Sequence, residues 1–228
     1  MIFRDVQLVN GGKHSNQKLE QNRYLMKYWD NVRDIFCTFL PNKIDFNGIS
    51  KLNIYLGGYD GEDYLPPSTD GIASYRRSDF IYSEFCNLTE TEKNLKTLFY
   101  IEDSISKVGK ELKVPNETLD VLKNVVNDVL SNNFELYKTY KKTTKWNKSR
   151  SFRVVTTLHH KVGGIDVDIS LVDKQGNALC TNKVESNQLW NSVWFNYFKG
   201  TWEGSAFVIE NRVGQETFKL ETTEFQVT

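Results

Sequence analysis

The stretch from Phe152 to Val184, FRVVTTLHHKVGGIDVDISLVDKQGNALCTNKV, decides the fold class of this chain. Phe152, Val154, Thr156, Leu158, His160 and Val162 alternate with Arg153, Thr157, His159 and Lys161. After Gly163-Gly164, Ile165, Val167, Ile169 and Leu171 alternate with Asp166, Asp168 and Ser170. Period-two alternation on both sides of a Gly-Gly pair predicts a hairpin with a tight primed turn. Pairing Val162 with Ile165 puts Leu158 opposite Ile169 and His160 opposite Val167 on one side. On the other side it puts Lys161 opposite Asp166 and His159 opposite Asp168. A slip of one residue would break both sets. Asp173 to Asn177 turns the chain again, and Ala178, Cys180 and Val184 return on the apolar face. The whole reads as a β-meander with one buried face.

Upstream of this meander the period changes to that of a helix. Arg4 to Val9 is predicted as a strand, and Leu25, Tyr28, Trp29, Val32, Phe36, Phe39 and Leu40 recur at three and four until Pro41 stops them. Such an aromatic stripe is the mark of a core helix. Strands are expected at Leu52–Leu56 and from Ile72 to Tyr82. Thr89-Glu90-Thr91-Glu92 is a capping box opening a helix with Leu95, Leu98, Phe99, Ile105, Val108 and Leu112 on one broad face. Past Pro115, Asn116 is expected to cap a third helix with Leu119, Leu122, Val126, Val129 and Leu130 inward. A last hairpin pairs Ala206–Glu210 with Thr217–Glu221. The class is therefore α+β: an N-terminal strand–helix unit and two further helices packed on a mostly antiparallel sheet built from the C-terminal half. No linker or repeat divides the sequence, so a single domain over residues 1–228 is expected.

Composition narrows the function by exclusion. Lys and Arg number 29 and so do Asp and Glu, so net charge offers no argument for nucleic acid or membrane. Cys37, Cys86 and Cys180 lie far apart without a CxxC, which fits a reducing cytoplasm and argues against a disulfide framework. No signal peptide and no long apolar run are visible. There is no P-loop, GxGxxG or HExxH, and no cofactor or metal is expected.

Two segments stand out as surfaces. Gly57 to Gly71 is long and unpatterned, mixing Tyr59, Asp60, Glu62, Asp63 and Tyr64; loops of that length inside a domain are functional or merely solvated. Tyrosines would supply contact area and carboxylates specificity. From Leu136 to Ile165 no Asp or Glu occurs, while Lys138, Lys141, Lys142, Lys145, Lys148, Arg150, Arg153 and Lys161 interleave with Tyr137, Tyr140, Trp146 and Phe152. Lys138, Lys141, Lys142, Lys145 and Trp146 make this the second candidate surface; such a segment suits phosphates and bases, an acidic partner, or simple protection of a sheet edge. Trp190, Val193, Trp194, Tyr197 and Phe198 share a helical face and are expected to form a lid over the sheet.

The expected function is non-catalytic binding of another protein through Tyr59, Asp60, Glu62, Asp63 and Tyr64. A bacterial or phage inhibitor, such as an immunity protein neutralising a basic toxin or effector, fits this size and character. An alternative is a hydrolase or nuclease using His159 and His160 with Asp166 and Asp168, since a histidine–carboxylate pair is half of a general-base device. Adjacent histidines on a strand face opposite ways and cannot share a metal. A third alternative is nucleic-acid binding through residues 138–161.

Overall fold

The structure is a computed structural model that describes residues 1–11, 16–58, 61–161 and 163–223, with backbone alone for 16–19. Met1–Glu135 and Leu136–Thr228 form two compact units. In the first, β1 (Ile2–Phe3) pairs antiparallel with β3 (Ile44–Asp45). β2 (Asp5–Asn10), β4 (Lys51–Leu56) and β5 (Ile72–Arg77) form a parallel sheet in that order. Parallel neighbours need a long crossover, and α1 (Asn16–Phe39) lies in the one between β2 and β4. α2 (Tyr82–Asn87), α3 (Glu90–Glu111) and α4 (Asn116–Ser131) follow.

The three parallel strands alternate in burial. Val6, Leu8, Leu52, Ile54, Leu56, Ala73, Tyr75 and Arg77 are buried on one face. Gln7, Val9, Asn53 and Tyr55 are half-buried on the other, and Arg76 is exposed there. Parallel strands closed on both faces read as unbroken apolar runs; the alternation here marks a sheet closed on one face only.

The helices follow their sequence signals with local exceptions. Leu25, Tyr28, Trp29, Val32 and Phe36 of α1 are buried. At the start of α3 the Glu92 N–H donates to Thr89 Oγ1 and the Thr89 N–H donates to Glu92 Oε2, the expected reciprocal cap. α4 is capped at Pro115 without a side-chain bond, and Asn116 is already helical. The apolar stripes are narrower than expected: Leu98, Ile105 and Val108 are buried, but Leu95, Phe99 and Leu130 are exposed. The strand expected from Ile72 to Tyr82 ends at Arg77 because the Ser78 N–H donates to a carboxylate, Asp63 Oδ1, at 3.0 Å. No helix among the described residues is long and apolar enough to cross a membrane.

The second unit contains the meander. β6 (Leu136–Thr139), β7 (Lys145–Trp146), β8 (Arg153–Lys161), β9 (Gly164–Val172) and β10 (Ala178–Gln188) form an antiparallel sheet in the order β10-β9-β8-β6, with β7 also beside β8. After α5 (Trp190–Asn196), strands β11 (Lys199–Glu203), β12 (Ala206–Glu210) and β13 (Glu216–Glu221) form a second antiparallel sheet. One core joins Val154, Leu158, Ile165, Val167, Ile169 and Leu171 to Val193, Tyr197, Phe207 and Ile209. Trp190 packs on that core, while Trp194 is 37% exposed, so α5 is a lid with one tryptophan at its margin.

The hairpin register corrects the sequence reading. Lys161 pairs with Gly164, His160 with Ile165, His159 with Asp166, Leu158 with Val167 and Thr157 with Asp168. His159 is therefore not opposite Asp168, and the expected partner of Ile165, Val162, lies outside the described residues. The shift is by two residues, which keeps every side chain on its expected face. Its cause is Gly164, which belongs to β9 and not to the turn. A Cβ there would stand 2.7 Å from the backbone carbon of Asn187 in the irregular end of β10. The glycine permits close approach of a neighbouring strand.

Candidate protein-binding face

Residues 61–71 connect β4 to β5, and the structure makes them a strap fixed to the outer edge of β5. Tyr64 and Arg76 exchange backbone hydrogen bonds of 3.0 and 2.9 Å, and Thr69 and Ile72 exchange bonds of 3.1 and 2.9 Å. Just ahead of the first of these points, Asp63 grips the unit. Its Oδ1 accepts from the N–H and hydroxyl of Ser78, and its Oδ2 accepts from Tyr75 Oη at 2.9 Å and Lys107 Nζ at 3.1 Å. Burial alone would raise the Asp63 carboxyl; the four donors outweigh it and hold it down at about 2.

Beside Asp63 lies a buried arginine. Arg77 is 1% exposed and forks onto Asp79, with Nε to Oδ1 at 2.9 Å and Nη2 to Oδ2 at 2.7 Å. Its Nη1 reaches Asp103 and the Ser104 hydroxyl on α3. The rings of Phe99 and Tyr100 flank the guanidinium at 5.7 and 5.0 Å. Lys107 joins Asp103 to Asp63, so strap, strand end and α3 share one ion network. A planar five-donor cation suits this role because two carboxylates and a hydroxyl converge on it.

The face around this network is acidic and carries exposed rings and aliphatics. From Glu62 to Asp103 the sequence has nine acidic and four basic residues, and two of those bases, Arg77 and Lys93, are buried, so the exposed charge is negative. Tyr64, Ile81, Leu95 and Phe99 are each 44–50% exposed. Of the expected site, Glu62 and Tyr64 are exposed, Asp63 is committed to the network, and Tyr59 and Asp60 lie outside the described residues. Arg77, Asp79, Asp103 and Lys107 were not singled out as a site in the sequence. Only the Asp103/Lys107 spacing of four on a helix carried a signal.

No family model, curated relative or solved structure matches the chain.

The other candidates can be compared on their own geometry. Lys141, Lys142 and Lys145 are exposed and Trp146 is 40% exposed, so the basic segment does lie on the surface. Its cations already lie against rings, one of them its own Trp146. Lys138 Nζ lies 5.8 Å over Trp190, Lys142 Nζ 5.3 Å over Phe198, and Arg153 5.3 Å over Trp146. Arg212 covers Trp194 in the same way. A ring face covered by a cation does not offer itself to a base.

Of the histidine–carboxylate constellation, the register brings His159 opposite Asp166, while His160 and Asp168 lie apart from that pair. His160 is buried in the core 6.2 Å from the Trp190 ring, while His159 faces the opposite way and stacks on Tyr137 at 4.0 Å. Asp166 is gripped by Lys161 at 2.7 Å, Lys183 at 2.8 Å and the Asn187 N–H at 3.0 Å. Burial opposes this, but the two lysines and the amide keep its carboxyl far below the usual range, which suits an anchor and not a base. Among the described residues no three His, Cys, Asp or Glu side chains are grouped to hold a metal.

Proposed function

We propose that this protein binds another protein without catalysis, using the acidic face built by the strap, the end of β5 and α3, and that the partner presents a basic surface. The observation that supports this most is the fixation of the strap. An exposed binding loop loses conformational freedom when it docks, and that loss weakens binding. Here backbone bonds to β5 and the Asp63 network restrain the strap in advance, leaving Tyr64 and Glu62 outward. Tyrosine gives large contact area with few rotors, and surplus negative charge steers a cationic partner. Inhibition of a basic toxin or effector is the form of this reading that accounts for the charge.

The test is site-specific photocrosslinking in cells of the source organism. A photoreactive phenylalanine replaces Tyr64, Phe99 or, as a control, Tyr137. The expected result is one basic protein captured at positions 64 and 99 and not at 137, whose capture falls when the exposed Glu62 and Glu84 become serine. Capture of the same proteins at all three positions, or at 137 alone, would remove the acidic face from consideration.

A further inference from the structure

Just past the end of β5 the acidic face is pitted. A hollow of about 180 Å³ opens beside α2 and α3, with Asp79, Glu84, Phe85, Leu88, Lys96 and Tyr100 in its lining. Pockets for cofactors and other small molecules run to about 300–1,000 Å³, so this one has room for a single side chain. Phe85 and Tyr100 are buried rings, each 2% exposed. Asp79, Glu84 and Lys96 are exposed around them. Among the described residues the Glu84 carboxylate has no cation within ion-pair distance.

Three features of the hollow select its occupant. On the inner side Asp79 already accepts a guanidinium fork from Arg77, whose Cζ lies 5.0 Å from the centre of the Tyr100 ring. A carboxylate offers about four acceptor sites. Arg77 takes one on each oxygen, and the Asp79 side chain keeps 45% of its surface in solvent. The second feature is the Tyr100 hydroxyl, which has no hydrogen-bond partner among the described residues and is not sealed as the Tyr140 hydroxyl is. Burial first, then the charge of Asp79 and less that of Glu84, push this hydroxyl up to about 12 against the pull of Arg77. The third is Lys96, whose Nζ stands 5.1 Å over the Tyr100 ring and 5.1 Å over Phe99 without a carboxylate partner among the described residues. A ring face and two carboxylates around one small hollow suit a cation.

The geometry points to a specificity pocket for an arginine of the partner: its guanidinium enters beside Phe85 and Tyr100, donates to Asp79, Glu84 and the Tyr100 hydroxyl, and displaces the Lys96 ammonium from the Tyr100 ring. This deepens the reading of the acidic face as a docking surface and rests on it. A planar fork of donors reaches two carboxylates at once and stacks on a ring, which the compact ammonium of lysine does not. Arginine is also enriched among the few residues that carry most of the energy of an interface.

The test is an NMR titration of the full chain, ¹³C-labelled in its tyrosine rings, with N-acetyl-arginine methylamide. The lysine counterpart and the citrulline counterpart, which has nearly the same shape without the charge, are titrated beside it. The expected result is a saturable shift of the Tyr100 ring with a Kd of about 10 mM for the arginine probe, and binding about fivefold weaker or worse for the other two. Glu84→Gln should weaken the arginine probe about threefold, and Lys96→Met, which removes the resident cation, should strengthen it about threefold. The pocket is overturned if the Tyr100 ring shows no saturable shift by about 50 mM, or if citrulline binds as well as arginine. It is also overturned if Glu84→Gln leaves the affinity unchanged or Lys96→Met lowers it. These measurements need no partner. Their failure would leave crosslinks at positions 64 and 99 standing, whereas arginine binding without those crosslinks would keep the pocket and remove the docking surface.

Discussion

The strap at 61–71 and the basic segment at 138–153 looked alike as sequence, each a run of one charge interleaved with aromatics. In the structure they dispose of their charges in opposite ways. The strap commits one carboxylate, Asp63, to the interior network and leaves Glu62 and Tyr64 outward. The basic segment lays Arg153 over its own Trp146, and Lys138 and Lys142 over Trp190 and Phe198. A count of charges and rings therefore says little about what a surface offers. Cations lie against rings in both regions, Arg153 on Trp146 and Arg77 and Lys96 on Phe99, so the difference lies in the carboxylate network that fixes the strap.

The largest effect that distinguishes the two regions should come from Arg77. Arg77→Met leaves Asp79 and Asp103 facing each other with no cation between them. It should destabilise the first unit by about 3 kcal/mol, read by urea denaturation, and free the strap. A loss below about 1 kcal/mol would mean that the network does not hold this region together. Next comes Gly164→Ala in the second unit, where the added Cβ meets Asn187 backbone and φ is +141°. It should cost about 2–3 kcal/mol, against about 1 kcal/mol for Gly176→Ala, where φ is +90° with open space around it. Equal costs at the two glycines would undo the account of the register.

A smaller effect is expected from pH. The folded Asp63 carboxyl sits at about 2, below the ordinary value of about 3.9. A depressed carboxyl adds stability that is present above its unfolded pKa and disappears as pH falls through the folded one. Thermal stability of the first unit should therefore drop between pH ~4 and ~2, and Asp63→Asn should flatten that drop. An unchanged slope in the variant would assign the acid sensitivity elsewhere. The smallest effect is expected from neutralising Lys141, Lys142 and Lys145 together. Stability should change by less than about 0.5 kcal/mol, and no nucleic-acid binding should be lost at ~150 mM salt. Sub-micromolar binding in the parent, abolished in the variant, would return the basic segment to the centre of the account.

Much of the architecture was legible in the sequence because it rests on periodicity. The strands β8 and β9, their buried face, the capping box at Thr89 and the core stripe of α1 all follow local rules. Register was not legible. Gly164 reads as a turn residue when only its neighbours are known, and its real constraint is Asn187, some twenty residues away in sequence. The parallel pairing of β2, β4 and β5 was likewise hidden, since alternating strands suggest antiparallel partners. At the candidate face the strap was visible as composition, but its fixation was not. Arg77 and Asp103 meet only through tertiary structure, and nothing in the spacing from strand to helix announces their contact.

Amide hydrogen exchange at Tyr64 and Arg76 decides whether the strap is held to β5 or only lies beside it. Exchange reports the free energy of local opening. Both amides should exchange slowly, together with the core of β5, and Asp63→Asn should accelerate Tyr64 by about tenfold or more. Exchange of Tyr64 at the rate of an unstructured chain, unchanged in the variant, would contradict the fixation of the strap.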